Sequence, residues 1–360
     1  MKIDFAISKM SGGGAERVVS ILANYLDDQG HDVRIVTFTG GDNYSLNPGV
    51  KRVRLHKHPL FHSVVFNGFF QLLSFYNKKN NRPDIISSHL DLLGYLTIPV
   101  AKIYNIPIIV SEHNNHLANN NLAQKFLWNY LYKLADVVTI LTSFDMEFFR
   151  KRNNNVVLMP NPCPFDPIKQ DAMPNKRSKS ILVVGNLDRY YQKGFDNLIP
   201  LVASVLKSNP EWTLKIIGAG DQGFTLLKNL AKVHDVLDRI VFTGQVKNVR
   251  DLLADAEIFM LPSRFEGLPM VLLEAMSQGT ACISYNCISG PSDIITNDVN
   301  GILVEDQNHD KMAKKLDLLI QSTELRNRFQ KEAPKALAKY AINAVGKNWE
   351  DLLHKTIAEK

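Results

Sequence analysis

Cysteine is scarce in this chain, and what there is forms no metal or redox set. Cys163, Cys282 and Cys287 are the three cysteines in 360 residues. An odd number without paired spacing excludes a disulfide framework, and the expectation is three reduced, buried thiols in a cytoplasmic protein. Long apolar runs are missing as well. The longest, residues 64–76, is interrupted by Asn67, Gly68 and Gln71, and nothing approaches the roughly 18 residues that a spanning helix needs. The N-terminus enters at once an alternating pattern with an acid at Asp4. That is a first strand and not a secretion signal. A peripheral place on the inner face of the cytoplasmic membrane stays open.

What is present is ordinary in amount. The hydrophobic fraction is 45% and the charged fraction 22%, which is the composition of a soluble globular protein. The length suits two α/β domains better than one core. The net charge of +6 and the pI near 9.0 point to anionic partners. No RRM, KH, zinc-finger or helix-turn-helix pattern accompanies that charge, so nucleic acid is not expected. Nucleotide diphosphates and anionic lipids are the better candidates.

Strand-like and helix-like segments alternate from the start, which predicts parallel sheets built from βαβ units. Strands are expected at residues 2–8, 32–38, 84–88, 107–110 and 137–141, with helices at 15–28 and 121–134. Residues 160–180 carry Pro160, Pro162, Pro164, Pro167 and Pro174 and form the natural boundary, since proline cannot join a central ladder. A second series follows, with strands at 180–185, 213–218, 240–243 and 258–261. From His309 onward the pattern is nearly all helical. The expected division is residues 1–165, 175–340 and a terminal helix at 341–360.

Several loops face where a phosphate would sit. Ser11-Gly12-Gly13-Gly14-Ala15-Glu16 lies between the first strand and the first helix. Gly13 and Gly14 allow close backbone approach there, and the helix N-terminus offers unsatisfied N–H groups to an anion. Arg17 stands where the dinucleotide fingerprint needs a third glycine, so NAD binding is not favoured. Gly185-Asn186-Leu187-Asp188-Arg189, then Lys193-Gly194, opens the second half in the same way. Arg189 and Lys193 could neutralise a departing diphosphate, or belong to a solvated basic loop.

The most informative stretch is Arg264-Phe265-Glu266-Gly267-Leu268-Pro269-Met270-Val271-Leu272-Leu273-Glu274. Pro269 suits a first helical turn, where its missing N–H costs nothing. The helix beyond is apolar nearly all round, so Glu274 is a buried carboxylate that needs a partner, either a structural one or a ligand. If residues 266–274 were helical throughout, eight steps of about 1.5 Å would set the two glutamates roughly 12 Å apart. That approaches the span from the sugar of a nucleotide-sugar to its ribose.

Together these segments resemble the large retaining glycosyltransferase family with the two-domain GT-B fold, which includes bacterial glycan-assembly and sucrose-related transferases. Ser111-Glu112-His113-Asn114, Ile217-Gly218-Ala219-Gly220-Asp221, Phe242-Thr243-Gly244 and Gly290-Pro291-Ser292-Asp293-Ile294 complete the likeness, which covers nearly the whole chain. It implies two Rossmann-like domains facing a cleft, with the C-terminal helix crossing back to the N-terminal domain. The N-terminal domain would take the acceptor and the C-terminal one the donor.

By the same resemblance Glu266 and Glu274 are the two acids of a Glu-x7-Glu motif. Glu266 would hold the donor sugar hydroxyls and Glu274 the ribose. His113 would sit by the donor sugar, and Gly13 and Gly14 would approach the diphosphate. Gly185, Asn186, Gly218, Gly220, Gly267 and Leu268 would line the donor, with Thr243 and Gly244 near the base. One departure stands out. The family usually has Arg where this chain has Asn186, so either Arg189 supplies the missing guanidinium or Lys193 acts alone.

The implied reaction moves a hexose or N-acetylhexosamine from a nucleotide-diphosphate sugar, UDP being favoured. The acceptor would be a glycan or a polyprenyl-diphosphate-linked saccharide in cell-surface polysaccharide or glycoconjugate assembly. Anomeric configuration would be retained without cofactor or metal. A nucleotide-sugar epimerase of the same fold and a catalytically weak nucleotide-sugar binder are the alternatives. Between residues 50 and 83 lie Lys51, Arg52, Arg54, Lys57, Lys78, Lys79 and Arg82 with no acid among them. Phe61, Phe66, Phe69, Phe70, Phe75 and Tyr76 are interleaved. That composition suits contact with an anionic membrane.

Overall fold

Two all-parallel sheets carry the chain in a computed structural model. It describes residues 1–55, 64–118, 121–174 and 176–360. The contacts divide it into one unit of Met1–Pro164 with Tyr340–Lys360 and another of Phe165–Lys339.

In the first unit the strands are β1 (Lys2–Ile7), β2 (Asp32–Thr37), β3 (Lys51–Arg54), β4 (Ile85–His89), β5 (Ile108–Ser111), β6 (Val137–Ile140) and β7 (Val156–Leu158). Their order in the sheet is β3-β2-β1-β4-β5-β6-β7. Helices α1 (Gly14–Asp28), α2 (Val64–Asn77), α3 (Gly94–Ile103), α4 (Leu122–Phe126) and α5 (Met146–Arg150) connect them. The central strands β1, β4 and β5 are buried along almost their full length, as strands covered by helices on both faces must be. Ile86, Ile108, Val110, Leu96 and Trp128 belong to the core between sheet and helices.

Asp4 is fully buried on β1, directly opposite Arg34 on β2. Their side chains meet in two bonds of 2.6 Å, and the Tyr76 hydroxyl donates to the same carboxylate at 2.6 Å. A charge in the sheet centre is tolerated because every partner is supplied.

The expected helix at residues 121–134 changes pitch. It is α-helical only through Phe126, then makes a π turn over Leu127–Leu131 and a 3-10 turn over Tyr132–Leu134. Trp128 and Tyr132 both donate to Oε1 of buried Glu112, Trp128 at 3.0 Å.

In the second unit the strands are β8 (Ser178–Val184), β9 (Thr213–Ile217), β10 (Ile240–Gly244), β11 (Ala256–Leu261), β12 (Ala281–Tyr285) and β13 (Ile302–Val304). They are ordered β10-β9-β8-β11-β12-β13. The helices are α6 (Phe195–Ser208), α7 (Asp221–Val233), α8 (Val249–Asp255), α9 (Met270–Ser277), α10 (Pro291–Ile294), α11 (His309–Gln321) and α12 (Thr323–Glu332). Ile181, Val183, Leu198, Ile216, Met260 and Ile283 anchor its core. The last helix, α13 (Ile342–Ala358), belongs to the first unit and packs on α1 so closely that a Cβ at Gly346 would lie 2.5 Å from the Tyr25 ring.

The basic stretch at residues 50–83 is less open than its composition predicts. Lys51 pairs with Asp32 at 2.7 Å, Arg52 with Asp42 at 2.6 Å, and Arg54 also with Asp42. The neutralising acids come from elsewhere in the sequence, which is why a window without acid misleads. Arg82 lies over the Tyr104 ring and donates to the Tyr76 carbonyl. Lys78, Lys79, Phe66 and Phe70 are exposed, whereas Tyr76 is buried. Lys57 and Phe61 lie outside the described residues. Among the described residues no helix is long and apolar enough to cross a membrane. All three cysteines are free and buried.

Candidate functional site

In each sheet the strand order reverses once, between β1 and β4 and between β8 and β11. At such a reversal the connecting loops diverge to opposite faces and leave a crevice at the carboxyl ends of the strands. The residues singled out by sequence gather at these two points, and each unit is described separately.

In the second unit, the loop after β8 makes a 3-10 turn over Leu187–Arg189. Asn186 begins it, and its side-chain oxygen accepts from the Asp188 N–H at 2.9 Å. The residue standing in place of arginine therefore works as a local cap. Arg189 is exposed, and its guanidinium has no hydrogen bond or ion pair among the described residues. Gly194 then takes φ +66, and a Cβ there would fall 1.9 Å from the Pro262 carbonyl oxygen. This glycine lets the β8 loop lie directly on the loop after β11.

That approach brings Lys193 to Glu266. Lys193 Nζ donates to Glu266 Oε1 at 2.7 Å, and Ser263 Oγ donates to the same oxygen at 2.6 Å. Glu266 is buried and Lys193 nearly so. The carboxylate's field reaches Cys287, whose thiol is pushed up by burial first and then by Glu266 and Asp306. The backbone of Glu266 is pinned as well, donating to the Ile288 carbonyl at 3.0 Å and accepting from the Ser289 N–H at 3.1 Å. Ser289 Oγ donates to the Gly267 carbonyl at 3.1 Å, and a Cβ at Gly290 would lie 2.4 Å from that same oxygen. Arg264, one residue past Ser263, is held by Asp196 through bonds of 2.6 and 2.8 Å.

Pro269 stands one position before α9, at its N-cap, so the helix starts later than the sequence suggests. Residues 266–269 form a turn, and the rise-per-residue spacing of roughly 12 Å between the two glutamates does not apply across it. Gly267 and Leu268 are buried in that turn, and Glu274 is buried inside α9.

The remaining glycines close the floor. Gly218, with φ +147, would place a Cβ 1.8 Å from the Gly185 carbonyl oxygen. Gly220, with φ +145, passes Asp188 in the same manner. Gly218 N–H donates to the Gly244 carbonyl at 3.0 Å, which joins the ends of β9 and β10. Thr243 Oγ1 lies 3.3 Å from both the Ile216 and Gly244 carbonyls.

In the first unit, Gly13 caps α1 with extended dihedrals, and Gly14 is the helix's first residue. Buried Glu16 folds back over this end. A Cβ on Gly13 would lie 2.1 Å from Glu16 Oε2, so a carboxylate already stands at the helix N-terminus. His113 follows β5, and its Nε2 lies 2.9 Å from Nδ1 of His89 at the end of β4. His89 Nε2 in turn meets Ser87 Oγ at 2.9 Å. Burial lowers the pKa of His113 to about 4 and holds that of His89 well below its ordinary value, with His113 contributing to the latter. Both rings are therefore neutral near pH 7. Among the described residues His113 Nδ1 has no hydrogen-bond partner.

Ser263 and Ser289 hold Glu266 and Gly267, Asp196 holds Arg264, and His89 meets His113, and none of these four side chains stood out in the sequence. His89 carried no periodic signal because its contact with His113 joins the ends of neighbouring strands, whereas Ser263 bonds Glu266 three residues on, within one irregular loop that has no period to read.

Comparison with known proteins fits this architecture. Residues 165–336 match the family model described as glycosyl transferases group 1, and residues 12–166 match glycosyltransferase family 4. The chain is 30% identical over 360 positions, 98% of each chain, to a Campylobacter jejuni protein. That relative is named as an α-1,4-N-acetyl-D-galactosaminyltransferase for GalNAc-α-(1→4)-GalNAc-α-(1→3)-diNAcBac-PP-undecaprenol. Sucrose-phosphate synthase from Thermosynechococcus elongatus superposes with a TM-score of 0.83 at 18% identity, over 99% of both chains. The Anabaena protein HepE, solved with UDP and glucose, superposes at 0.81 and 16% identity, over 98% of this chain and 99% of its own. With two parallel-sheet units, each bearing its loops at the strand-order reversal, the chain belongs to the GT-B glycosyltransferases of group 1.

Proposed function

We propose that this glycosyltransferase moves a hexose or N-acetylhexosamine from a UDP-sugar to a glycan or polyprenyl-diphosphate-linked acceptor, with retention and without a metal. The observation that carries the reading is the Lys193–Glu266–Ser263 contact at the β8/β11 reversal. It sets a fixed carboxylate and a cation side by side where a nucleotide-sugar would lie. The Campylobacter relative's undecaprenol-linked acceptor supports a lipid-linked substrate, and UDP in the HepE structure supports the nucleotide.

In this reading Glu266 accepts from the donor sugar's hydroxyls, and Glu274 from the ribose. Arg189 and Lys193 meet the diphosphate, offsetting charge as the bond from anomeric carbon to phosphate oxygen breaks. The acceptor hydroxyl attacks from the same face and gives its proton to the leaving phosphate oxygen. Neutral His113 offers Nδ1 to a sugar hydroxyl. The N-terminal unit takes the acceptor, and exposed Phe66 and Phe70 on α2, with exposed Lys78 and Lys79 just past its C-terminus, favour approach to an anionic membrane.

A thermal-shift screen of UDP-, GDP- and ADP-sugars on the wild type and on Glu274→Ala tests the donor site. A shift with the UDP class, weakened in the variant, is expected; no shift with any class would count against the donor site, and a shift without transfer to any acceptor would favour the weak-binder reading. The anomeric proton of the product, read by NMR, decides retention. Flotation with anionic liposomes at low salt tests the membrane contact, and no binding would remove it.

A further inference from the structure

Glu350 and His354 stand four residues apart on α13, so they share one face of the helix. His31 reaches that face from the turn between α1 and β2. Its Nε2 lies 3.0 Å from Glu350 Oε1, and its ring stands edge-on to His354 with centroids 5.8 Å apart. One ligand atom from each of the three lies within 4.8 Å of the others. None of the three belongs to the donor site described above.

We propose that His31, Glu350 and His354 form a binding site for a divalent transition metal, zinc being the best fit. Two imidazoles and one carboxylate are a borderline-soft donor set that suits zinc and leaves a fourth position to water. Magnesium and calcium, which prefer all-oxygen shells, are excluded by the two nitrogens. The tautomer is suitable. His31 Nε2 faces Glu350 Oε1 at 3.0 Å, and since a carboxylate only accepts, that nitrogen carries the proton. The metal replaces that proton and takes the carboxylate with it.

Tetrahedral bonds of about 2.0–2.1 Å need donor atoms closer together than the present spread. His354 is exposed and can swing inward by side-chain rotation. Glu350 faces His31 through Oε1, while its 3.3 Å contact with the largely exposed Lys347 is on Oε2, so one oxygen is available to the metal without breaking that pair. The bound ion ties α13 to the α1–β2 turn and takes no step in sugar transfer.

The test is calorimetric titration of tag-free, chelator-stripped protein with zinc chloride, alongside magnesium chloride, followed by cobalt substitution. One zinc per chain is expected, with no magnesium heat and the visible absorption of tetrahedral cobalt. His354→Ala, an exposed change that leaves the sheet untouched, is expected to weaken zinc by about tenfold or more, since even outer partners of metal sites cost that much. Zinc is also expected to raise the Tm of the wild type and not of the variant. Absence of zinc binding, or equal binding by His354→Ala, would overturn the site. Neither outcome bears on the donor screen.

Discussion

Lys193 and Glu266 neutralise one another in the structure, and this governs what each offers a ligand. A carboxylate already held by an ammonium and a hydroxyl is fixed in orientation, and under the proposed function that would leave little reorganisation for the transition state. Arg189 keeps its charge unshared, which suits an incoming diphosphate better than a second paired cation would. The histidine pair sets a pH dependence. In the unfolded chain both imidazoles protonate near pH 6.5, whereas in the fold His113 resists until about pH 4 and His89 is also held well below its ordinary value. As pH falls the unfolded state binds protons first, so stability drops between about pH 6.5 and 4. The slope is at most about 1.4 kcal/mol per pH unit for each ring. Urea unfolding across that range should show the decline, with a shallower slope in His113→Asn. Stability that is flat with pH would contradict the burial of these rings. The Asp4–Arg34 pair gives an effect that needs no change of pH: Asp4→Ala strands a buried guanidinium and should cost about 3–5 kcal/mol in the same assay.

At the scale of the element, the loop glycines set how closely strands and turns can meet. Gly218→Ala combines a left-handed backbone with an overlap against the Gly185 carbonyl. It should destabilise the second unit by at least about 2 kcal/mol, read from the urea midpoint. An unchanged midpoint would mean that the floor of the site can yield. The central strands were legible because each is a short apolar run between glycine or helix signals. β3, with the sequence Lys-Arg-Val-Arg, was not, since its cations mark an edge strand and looked like an exposed basic patch. β7 and β13 are only three residues long, and a run of that length carries no period. β12 follows α9 after only Gln278-Gly279-Thr280, and its five residues, with polar Ser284 among them, are too few and too mixed to carry a clear period. The loops after β8 and β11 stood out in the sequence by their glycine, lysine and glutamate spacing. The contact of His89 with His113 did not, because it depends on which strands become neighbours, and that of Ser263 lies inside an irregular loop.

At the scale of the molecule, the second unit is one continuous piece, Phe165–Lys339, inserted between the two pieces of the first. Its sheet and core lie wholly within that span. Expressed alone, the fragment should unfold in a single cooperative transition by circular dichroism; a non-cooperative melt would show that its core depends on the rest of the chain. Removing Tyr340–Lys360 instead should expose the face of α1 around Tyr25 and make the truncated protein aggregate, as light scattering would report.

The insertion also orders events during synthesis. The first unit begins to emerge from the ribosome before the second, yet it lacks α13 until the last residues are made. Phe165–Lys339 is fully translated while its predecessor is still waiting, and at about 5–20 residues per second the missing segment follows on the scale of seconds. The portion begun first is finished last, and through that interval the bare flank of α1 is a surface for a chaperone to cover.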